Sequence, residues 1–308
     1  MYDLIIVGGG PAGLTAGIYA VRSGLCTLVL ERSEISGQIA FADIVENFPG
    51  FPSISGRELM EKYKIHAKEA GVETKIVDVL SIRANGAKKI VSTDSGDLES
   101  KAVIIATGAN PKKLNVPGEK EFVSKGVSYC AICDGPFFRN KTVLVVGAGN
   151  SAITDALFLS KIARKVYVAC RKDQLRAAKI LQDRAFATPN IEFILHSIVL
   201  EIVGSKGDIR RVEKVVLKDL ETEKISELAT NGVFVYIGIH PNTEIVNVEK
   251  DAEGFIKTNS SLETSEKGIF AAGDCRDTNI WQVVSAVRDG ALAATSANEY
   301  IESLKKQD

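Results

Sequence analysis

Cysteine is scarce in this chain, with 5 among 308 residues. A secreted scaffold held together by disulfides would need more cysteines at closer spacing, so the sequence excludes that class of protein. Cys26, Cys170 and Cys275 stand alone, and only Cys130 and Cys133 lie close together. We therefore expect any disulfide in this protein to serve chemistry rather than structural support.

The chain also lacks an excess of charge of either sign and a long apolar run near its start. It has 38 basic and 39 acidic side chains, for a net charge of −1, so no strong field attracts nucleic acid or an anionic membrane. The first apolar run, residues 4–7, is too short for a signal peptide or a membrane span. We expect a cytoplasmic protein with no nucleic acid or membrane partner.

The pair Cys130 and Cys133 permits two kinds of chemistry. Two intervening residues let the sulfurs reach bonding distance, as in redox-active pairs. The same spacing provides half of a zinc site, but such a site needs a second pair of ligands, and no Cys or His flanks the pair within three residues. Disulfide exchange also needs a proton donor for the departing sulfur. Asp134, directly after the pair, is the adjacent candidate.

A glycine-rich turn follows the first apolar segment. Residues 2–7 predict a strand, Gly8, Gly10 and Gly13 have the spacing of a dinucleotide-binding turn, and a helical pattern follows. The first glycine permits the tight turn, the second admits a pyrophosphate, and the third lets the helix pack on the strand. The next apolar segment ends at Glu31, where an acidic side chain can accept hydrogen bonds from a ribose. This pattern predicts a dinucleotide site.

The same arrangement recurs later in the chain. A predicted strand over 142–146 leads into Gly147, Gly149 and Ala152, with alanine in place of the third glycine. The next apolar segment ends at Cys170 rather than at a carboxylate, and it is followed by the cations Arg171, Lys172 and Arg176. Cations suit the 2′-phosphate of NADP, so we predict a second site for NADP and a first site for an unphosphorylated ribose such as that of FAD. A solvated surface pair after a strand is the alternative interpretation.

Further elements are predicted elsewhere in the chain. The amphipathic pattern over 57–70 predicts a helix. Alternating segments at 74–82 and 89–93, with glycine turn signals, predict a small antiparallel meander. A final helix is predicted over 282–304.

Two dinucleotide turns, with a cysteine pair just before the second, resemble the low-molecular-weight thioredoxin reductases, class II of the flavoprotein pyridine nucleotide-disulfide oxidoreductases. The likeness runs over nearly the whole chain. Its landmarks are residues 8–13, 37–38, 45–50, 106–108, 130–135, 147–152, the cations at 171, 172 and 176, and 273–274. The glutathione reductase branch is less similar, because it carries its cysteine pair in the first domain and relies on a C-terminal histidine, whereas residues 26–43 hold no pair and His240 is the last histidine here.

The resemblance implies the fold class α/β, with two Rossmann-like three-layer dinucleotide-binding domains, the second inserted into the first. It implies a discontinuous FAD-binding domain of residues 1–112 and 245–308. The NAD(P)H-binding domain of residues 113–244 would carry the cysteine pair. Connectors near Pro117 and Pro241 are the expected hinges, because the family alternates between two domain orientations. A homodimer is expected on the same basis.

The resemblance also assigns roles to residues. Cys133 would be the thiol beside the flavin, Cys130 the thiol that attacks the protein substrate, and Asp134 the acid that protonates a leaving thiolate. The positions implied for FAD are Gly8, Gly10, Gly13, Glu31, Gln38, Asn47, Thr107, Gly108, Asp274 and Gln282. The positions implied for NADPH are Gly147, Gly149, Asn150, Ser151, Arg171, Lys172 and Arg176. The implied activity is thioredoxin-disulfide reduction, with electrons passing from NADPH through FAD to the cysteine pair and on to a thioredoxin-like protein.

Three positions depart from the family pattern. Cys170 and Lys172 stand where the family usually has histidine and arginine, and lysine offers a point charge rather than a planar fork. Trp281 precedes Gln282 where the family usually has arginine, and it either stacks near the flavin or simply packs. These departures leave NADH, ferredoxin and F420 as alternative donors. A flavin-dependent dithiol oxidase is a second enzyme hypothesis, and a nucleotide-sensing or zinc-binding regulator is the hypothesis outside the enzymes.

Overall fold

The computed structural model describes residues 1–34, 37–42, 44–205 and 210–305. The chain divides into two compact units: unit 1 comprises Met1–Asn110 with His240–Asp308, and unit 2 comprises Pro111–Ile239. Unit 2 is therefore a continuous insertion in a discontinuous unit 1. The boundaries expected from the sequence lie at 112/113 and 244/245, and each unit holds one of the two glycine turns.

Strands and helices alternate over much of both units. The strands are β1 (Tyr2–Val7), β2 (Thr27–Glu31), β3 (Glu73–Ile76), β4 (Val79–Asn85), β5 (Lys88–Thr93), β6 (Gly96–Ile105), β7 (Ala109–Pro111), β8 (Val127–Ser128), β9 (Thr142–Val146), β10 (Lys165–Ala169), β11 (Ile191–Ile194), β12 (Ser197–Gly204), β13 (Val212–Asp219), β14 (Ile225–Ala229), β15 (Gly232–Val235), β16 (Ile239–Pro241) and β17 (Ile269–Ala271). The helices are α1 (Pro11–Arg22), α2 (Gly56–Glu69), α3 (Ala131–Asp134), α4 (Asn150–Ser160), α5 (Lys179–Phe186) and α6 (Val283–Lys305). Short 3₁₀ helices lie at Gln38–Phe41, Gly135–Phe138 and Gly273–Cys275.

The main sheet of unit 1 has the strand order β3-β2-β1-β6-β5-β4, with β17 also paired to β6. Strands β1, β2, β3, β6 and β17 are paired in parallel. Strand β1 shows why its sequence is apolar throughout: Leu4 and Ile6 join one core cluster, whereas Ile5 and Val7 join the other. A parallel strand that is covered on both faces needs an uninterrupted apolar run.

The predicted meander is only partly correct. Strands β4 and β5 pair antiparallel, and β5 pairs antiparallel with the first half of β6. Strand β3, however, runs parallel to β2 at the opposite edge of the sheet. The predicted segment 74–82 therefore spans parts of two strands from the two ends of one sheet, with buried Val77 between them. Side-chain alternation identifies a strand but does not identify its neighbours.

Helices α1 and α6 pack closely against each other in unit 1. A Cβ at Gly290 on α6 would lie 2.1 Å from the carbonyl oxygen of Ala12 on α1, so only glycine permits this approach. The predicted helices over 57–70 and 282–304 are confirmed as α2 and α6. Helix α2 begins after Ser55, whose hydroxyl accepts a hydrogen bond of 3.1 Å from the Glu58 amide.

Unit 2 has three layers. Its parallel sheet has the order β11-β10-β9-β15-β8, and β12, β13 and β14 form a separate antiparallel sheet. On β9, Val143 and Val145 face a core cluster shared with α4, whereas Leu144 and Val146 face a cluster shared with the antiparallel sheet. The parallel sheet thus lies between helices and a second sheet.

The chain passes between the units at β7 and β16, which pair with each other. The Lys112 amide donates to the Gly238 carbonyl at 2.9 Å, so the two ends of unit 2 are neighbours. Pro117 does not lie at this passage, because its carbonyl accepts the Ile202 amide at 2.9 Å inside unit 2. The connector predicted there is part of unit 2, whereas Pro241 directly follows the second passage. No helix in the described residues combines the length and apolarity needed to cross a membrane.

Candidate active site

The first glycine turn lies between β1 and α1 in unit 1. Gly8 has a φ of +111°, and a Cβ there would lie 2.2 Å from the Ala106 carbonyl oxygen. A Cβ at Gly13 would lie 1.7 Å from the Gly8 carbonyl oxygen. Gly10 precedes α1, and the nearest atom to a Cβ there is the Cα of Gly37 at 3.8 Å. Close packing therefore requires glycine at positions 8 and 13. Gly10 leaves open space at the start of α1, where a phosphate group can bind.

Glu31 lies at the end of β2 and contacts this turn. Its carboxylate accepts hydrogen bonds from the amides of Gly9 and Arg32, both at 2.7 Å. A Cβ at Gly9 would lie 3.1 Å from Glu31 Oε2. The structure thus places the predicted acidic residue at the glycine turn, and its hydrogen bond with the Gly9 amide stabilises the turn.

Asp274 follows β17 and has a buried oxygen with no partner. Within the described part of the chain, Asp274 Oδ1 is a buried side-chain atom that lacks a hydrogen bond. Burial and the nearby charge of Asp289 raise the pKa of Asp274 to about 6. Because an unpartnered buried oxygen calls for a donor, a hydroxyl group of a flavin nucleotide suits this position. The residues present therefore fit a flavin.

Asp289 on α6 organises the Asp274 turn, and sequence reasoning missed it. Its side chain is 3% exposed. Asp289 Oδ2 accepts hydrogen bonds from the Gly273 amide at 3.2 Å and from Arg276 Nε at 2.8 Å, and Oδ1 accepts one from Arg288 at 2.8 Å. The one available signal was a carboxylate within the helical stripe of small residues that α6 buries.

A chain of amide side chains joins distant parts of unit 1. Gln38 donates to Asn110 Oδ1, Asn110 Nδ2 donates to Asn242 Oδ1 at 2.8 Å, and Asn242 Nδ2 donates to the Thr107 carbonyl at 2.9 Å. The carbonyl of Gly108 accepts the Asn242 amide at 3.0 Å. Sequence reasoning missed Asn110 and Asn242, because they lie 132 residues apart and form no local pattern.

The remaining residues expected to contact FAD also lie in unit 1. Asn47 Nδ2 donates to Gln282 Oε1 at 2.9 Å, across 235 residues of sequence. Trp281 packs against Phe255 with ring centroids 5.8 Å apart and is 37% exposed. Cys275 is fully buried, and burial raises its pKa to about 11, so it is a core thiol.

The second glycine turn lies between β9 and α4 in unit 2. Gly147 has a φ of +147°, and a Cβ there would lie 2.3 Å from the Tyr236 carbonyl oxygen. Gly149 precedes α4, and a Cβ there would meet no atom within 4 Å. The side-chain oxygen of Asn150 accepts the amide that precedes α5 at 2.8 Å, whereas Ser151 is exposed. Gly149 and Ser151 therefore border open space at the start of α4.

Three predicted cations, Arg171, Lys172 and Arg176, are exposed after β10. The Arg176 amide donates to the Ala148 carbonyl at 2.8 Å, which places this segment against the glycine turn. Cys170 is 1% exposed, and its thiol donates to the Gly147 carbonyl at 3.4 Å. Burial raises the pKa of Cys170 to about 11, so this residue supports the turn and does not provide a charge.

The cysteine pair lies at the start of α3 in unit 2. Cys130 and Cys133 form a disulfide, with Cα atoms 5.3 Å apart. Cys130 precedes α3, and its Sγ accepts a hydrogen bond of 3.2 Å from the Cys133 amide. Ser128 Oγ donates to Asp134 Oδ2 at 2.5 Å and accepts the Cys130 amide at 3.1 Å. Ser128, which sequence reasoning missed, therefore connects the disulfide segment to the predicted acid.

Two tyrosines hold the segments around the disulfide, and sequence reasoning missed both. The Tyr129 hydroxyl donates to Glu119 at 2.9 Å, and Glu119 is 2% exposed. The Tyr236 hydroxyl accepts the Ala131 amide at 2.6 Å, and burial together with the nearby Asp155 raises the pKa of Tyr236. Tyr236 is 105 residues away from Ala131, so no local motif could reveal the contact. Within the described ranges no three His, Cys, Asp or Glu side chains come together as a metal site would require.

Known proteins resemble this chain over nearly its whole length. The family model described as pyridine nucleotide-disulphide oxidoreductase matches residues 2–290. A thioredoxin reductase of Bacillus subtilis is 45% identical, over 99% of this chain and 96% of that protein. The crystal structure of a thioredoxin reductase from Streptococcus pyogenes is 44% identical with a TM-score of 0.92, and the match covers 98% of this chain and 99% of that one. A ferredoxin-flavin thioredoxin reductase from Clostridium acetobutylicum is 34% identical with a TM-score of 0.54, over 98% of each chain.

These matches include both glycine turns and the disulfide. A family of this kind uses a flavin and a pyridine nucleotide, and the two glycine turns lie in two different units of the chain. The Cys130–Cys133 disulfide agrees with the redox-active centre of such enzymes. The chain therefore belongs to the pyridine nucleotide-disulphide oxidoreductase family, as a flavin-dependent oxidoreductase of its thioredoxin reductase branch.

Proposed function

We propose that this chain is a thioredoxin-disulfide reductase that takes electrons from NADPH and uses FAD. The observation that carries the proposal is the Cys130–Cys133 disulfide, with Asp134 held beside it by Ser128. Relatives named thioredoxin reductase, similar over nearly the full chain, support the same activity. The substrate is the disulfide of a thioredoxin-like protein.

Unit 1 is the proposed FAD-binding domain. Gly10 leaves room for phosphate at the start of α1, and Glu31 is positioned at the same turn to accept ribose hydroxyls. Asp274 Oδ1 lacks a donor that a flavin nucleotide can supply. When bound, FAD supplies the two-electron chemistry that links a pyridine nucleotide to a disulfide.

Unit 2 is the proposed NADPH-binding domain. The open space beside Gly149 and Ser151 lies at the start of α4, where backbone amides attract phosphate. Arg171 and Arg176 are exposed in the segment that follows the neighbouring strand, and arginine binds phosphate through two parallel hydrogen bonds. Lys172 adds a third positive charge. These cations favour NADPH over NADH.

The thiol chemistry is assigned to three residues. After reduction, the Cys130 thiolate attacks one sulfur of the substrate disulfide; that S–S bond breaks, a mixed disulfide forms, and Asp134 gives a proton to the leaving sulfur. The Cys133 thiolate then attacks Cys130, which restores the Cys130–Cys133 bond and releases the second substrate thiol. The two electrons that entered the pair leave on the substrate, which becomes a dithiol. The N-cap position of Cys130 favours its thiolate, because the first-turn amides of α3 face it.

An anaerobic donor assay tests this proposal. Purified flavoprotein is mixed with NADPH, NADH or reduced ferredoxin, and flavin bleaching and thioredoxin reduction are followed. We expect NADPH to act best and the double variant Arg171→Ala/Arg176→Ala to raise the KM for NADPH at least tenfold while leaving the KM for NADH within twofold. If NADPH neither bleaches the flavin nor reduces thioredoxin, the proposal is wrong.

Ferredoxin is the second candidate donor. A relative that is 34% identical over 98% of this chain is described as a ferredoxin-flavin thioredoxin reductase. A similar chain can therefore be paired with ferredoxin as its donor. Cys170 and Lys172 also depart from the usual phosphate-binding residues. Bleaching by reduced ferredoxin but not by NADPH would favour this candidate.

The proposal extends to assembly and location. We propose a homodimer, as the resemblance implies, and a cytoplasmic location. Light scattering during size-exclusion chromatography tests the assembly: a mass near 33.1 kDa, that of one chain, would contradict it, and twice that mass would support it.

A further inference from the structure

The side-chain amides that join distant parts of unit 1 take their orientation from one backbone carbonyl. The Thr107 carbonyl oxygen can only accept, so the nitrogen of the Asn242 side chain must face it, at 2.9 Å. Asn242 Oδ1 then faces Asn110 and accepts its Nδ2 at 2.8 Å. Asn110 is left with its oxygen towards Gln38, and this oxygen accepts the Gln38 side-chain nitrogen. The orientation of all three amides therefore follows from a single acceptor.

Asn242 is also held at its backbone. Its amide donates to the Gly108 carbonyl at 3.0 Å, and its carbonyl accepts the Thr107 hydroxyl at 2.6 Å. Asn110 and Asn242 are both half-buried. Turning either asparagine amide by 180° would bring two oxygens together at one end and two nitrogens together at the other, which leaves both ends unpaired. The protein thus holds each amide in one orientation.

Gln38 lies at the open end of this series of amides, beside the first glycine turn. Its side chain is exposed, and the Cα of the preceding Gly37 lies 3.8 Å from the position of a Cβ on Gly10. Gln38 Nε2 donates to Asn110, and Oε1 accepts no hydrogen bond within the described ranges of the chain. An unrestrained glutamine would present oxygen or nitrogen with similar ease. Because Asn110 holds Nε2, Gln38 presents an acceptor oxygen beside the proposed FAD site.

We propose that Asn110 and Asn242 are positioning residues for FAD, which hold the Gln38 amide with its oxygen available to a hydrogen-bond donor of the flavin nucleotide. This inference rests on the FAD site of the proposed function. FAD offers such donors as the ring N–H at position 3 of the oxidised flavin and as hydroxyl and amino groups. The two asparagines act through Gln38: they prevent it from turning an N–H towards the donor, which would leave both donors unpaired.

The test is a thermodynamic cycle of FAD binding. The full-length protein is freed of flavin, and the dissociation constant of FAD is measured by calorimetric titration at pH 7. Gln38→Leu removes the acceptor and should weaken binding about tenfold, as expected for one hydrogen bond. Asn110→Leu releases the Gln38 amide and should weaken binding about fivefold. Asn242→Leu releases Asn110 in turn and should weaken binding about threefold.

The variant Gln38→Glu separates positioning from a merely structural effect. A carboxylate has an acceptor oxygen in either orientation, so it needs no partner to orient it. In the Gln38→Glu protein we therefore expect Asn110→Leu and Asn242→Leu to cause no further loss of FAD affinity. A loss of equal size with glutamine and with glutamate at position 38, or no loss with either, would overturn the inference.

Asn190→Leu is the matched control. Asn190 Nδ2 donates to the carbonyls of Ser160 and Ala163 at 2.8 and 3.2 Å in unit 2, so the variant loses the same kind of contact in the other unit. We expect its dissociation constant for FAD to stay within about twofold of that of the unmodified protein, less than the loss of one hydrogen bond. The melting temperature identifies any misfolded variant, for which Asn110→Ser or Asn242→Ser is titrated instead.

FAD methylated at ring position 3 identifies the donor. A loss of affinity that occurs with Gln38 and not with Gln38→Leu assigns the ring N–H, whereas an equal affinity for FAD and its methylated form assigns a hydroxyl or amino group. If the unmodified protein does not bind FAD, the proposed function fails instead of this inference.

Discussion

Ser128 connects the backbone of the disulfide segment to the side chain that is proposed to donate a proton. Its hydroxyl accepts the Cys130 amide and donates to Asp134. Ser128→Ala removes both contacts but leaves the acid in place, so we expect kcat for thioredoxin reduction to fall about tenfold, less than the roughly hundredfold or more that a positioned acid itself contributes. Stopped-flow bleaching of the flavin by the donor should be unchanged, because that step precedes disulfide exchange. Ser128→Thr keeps the hydroxyl and should recover most of the loss; equal defects in both variants would count against this role.

Asp274 gives the flavin-free protein a pH-dependent stability. Its pKa in the folded chain, about 6, exceeds the ordinary value of 3.8, so the folded state binds a proton that the unfolded state has lost between about pH 4 and pH 6. The free energy of unfolding should therefore decrease as pH rises through that window, by up to about 3 kcal/mol. Urea unfolding at pH 4 and pH 7, on either side of that window, measures the effect. Asp274→Asn should abolish this decrease and Asp183→Asn, at an exposed position, should keep it; the same pH slope in all three proteins would refute the assignment.

At the scale of elements, substitution by alanine should have different effects at two glycines of the two dinucleotide turns: loss of stability at one, and loss of NADPH binding at the other. A Cβ at Gly13 would lie 1.7 Å from a carbonyl oxygen, so Gly13→Ala should cost about 3 kcal/mol or more and release the flavin. A Cβ at Gly149 would meet nothing within 4 Å, and its φ of −88° suits alanine. Gly149→Ala should therefore melt normally yet raise the KM for NADPH at least tenfold. A normal KM for that variant would show that the nucleotide does not approach this turn.

Local pattern predicted the elements better than their neighbours. The glycine turns, Glu31 at the end of β2, and helices α2 and α6 were each predicted from one short continuous stretch of sequence. The structure contains all of them. The pairing of β3 with β2 and the contact between Asn110 and Asn242 depend on residues far apart in sequence. A periodicity of two or 3.6 residues carries no information about such contacts. The hydrogen bond between the Tyr236 hydroxyl and the Ala131 amide could not be predicted for the same reason.

At the scale of the whole molecule, unit 2 is an insertion whose two ends are neighbours. The hydrogen bond of 2.9 Å between Lys112 and Gly238 closes the segment at its base. Unit 2 also has core clusters on both faces of its own sheet. Residues 111–239 expressed alone should therefore fold, with a single cooperative melting transition, and form the Cys130–Cys133 disulfide. A fragment that lacks near-ultraviolet circular dichroism would contradict this expectation.

The discontinuity of unit 1 has a consequence for biosynthesis. Strand β17 completes the main sheet, α6 packs on α1, and Asp274 and Gln282 follow β16, so all of these parts leave the ribosome after unit 2 is complete. Domains fold as units during translation, and the N-terminal segment of unit 1 must wait with one side of α1 uncovered. The inserted unit therefore matures first, and flavin loading becomes an event that follows chain release. The time between the completion of unit 2 and the synthesis of β17 and α6 then determines how long the unfinished sheet stays exposed to chaperones and proteases.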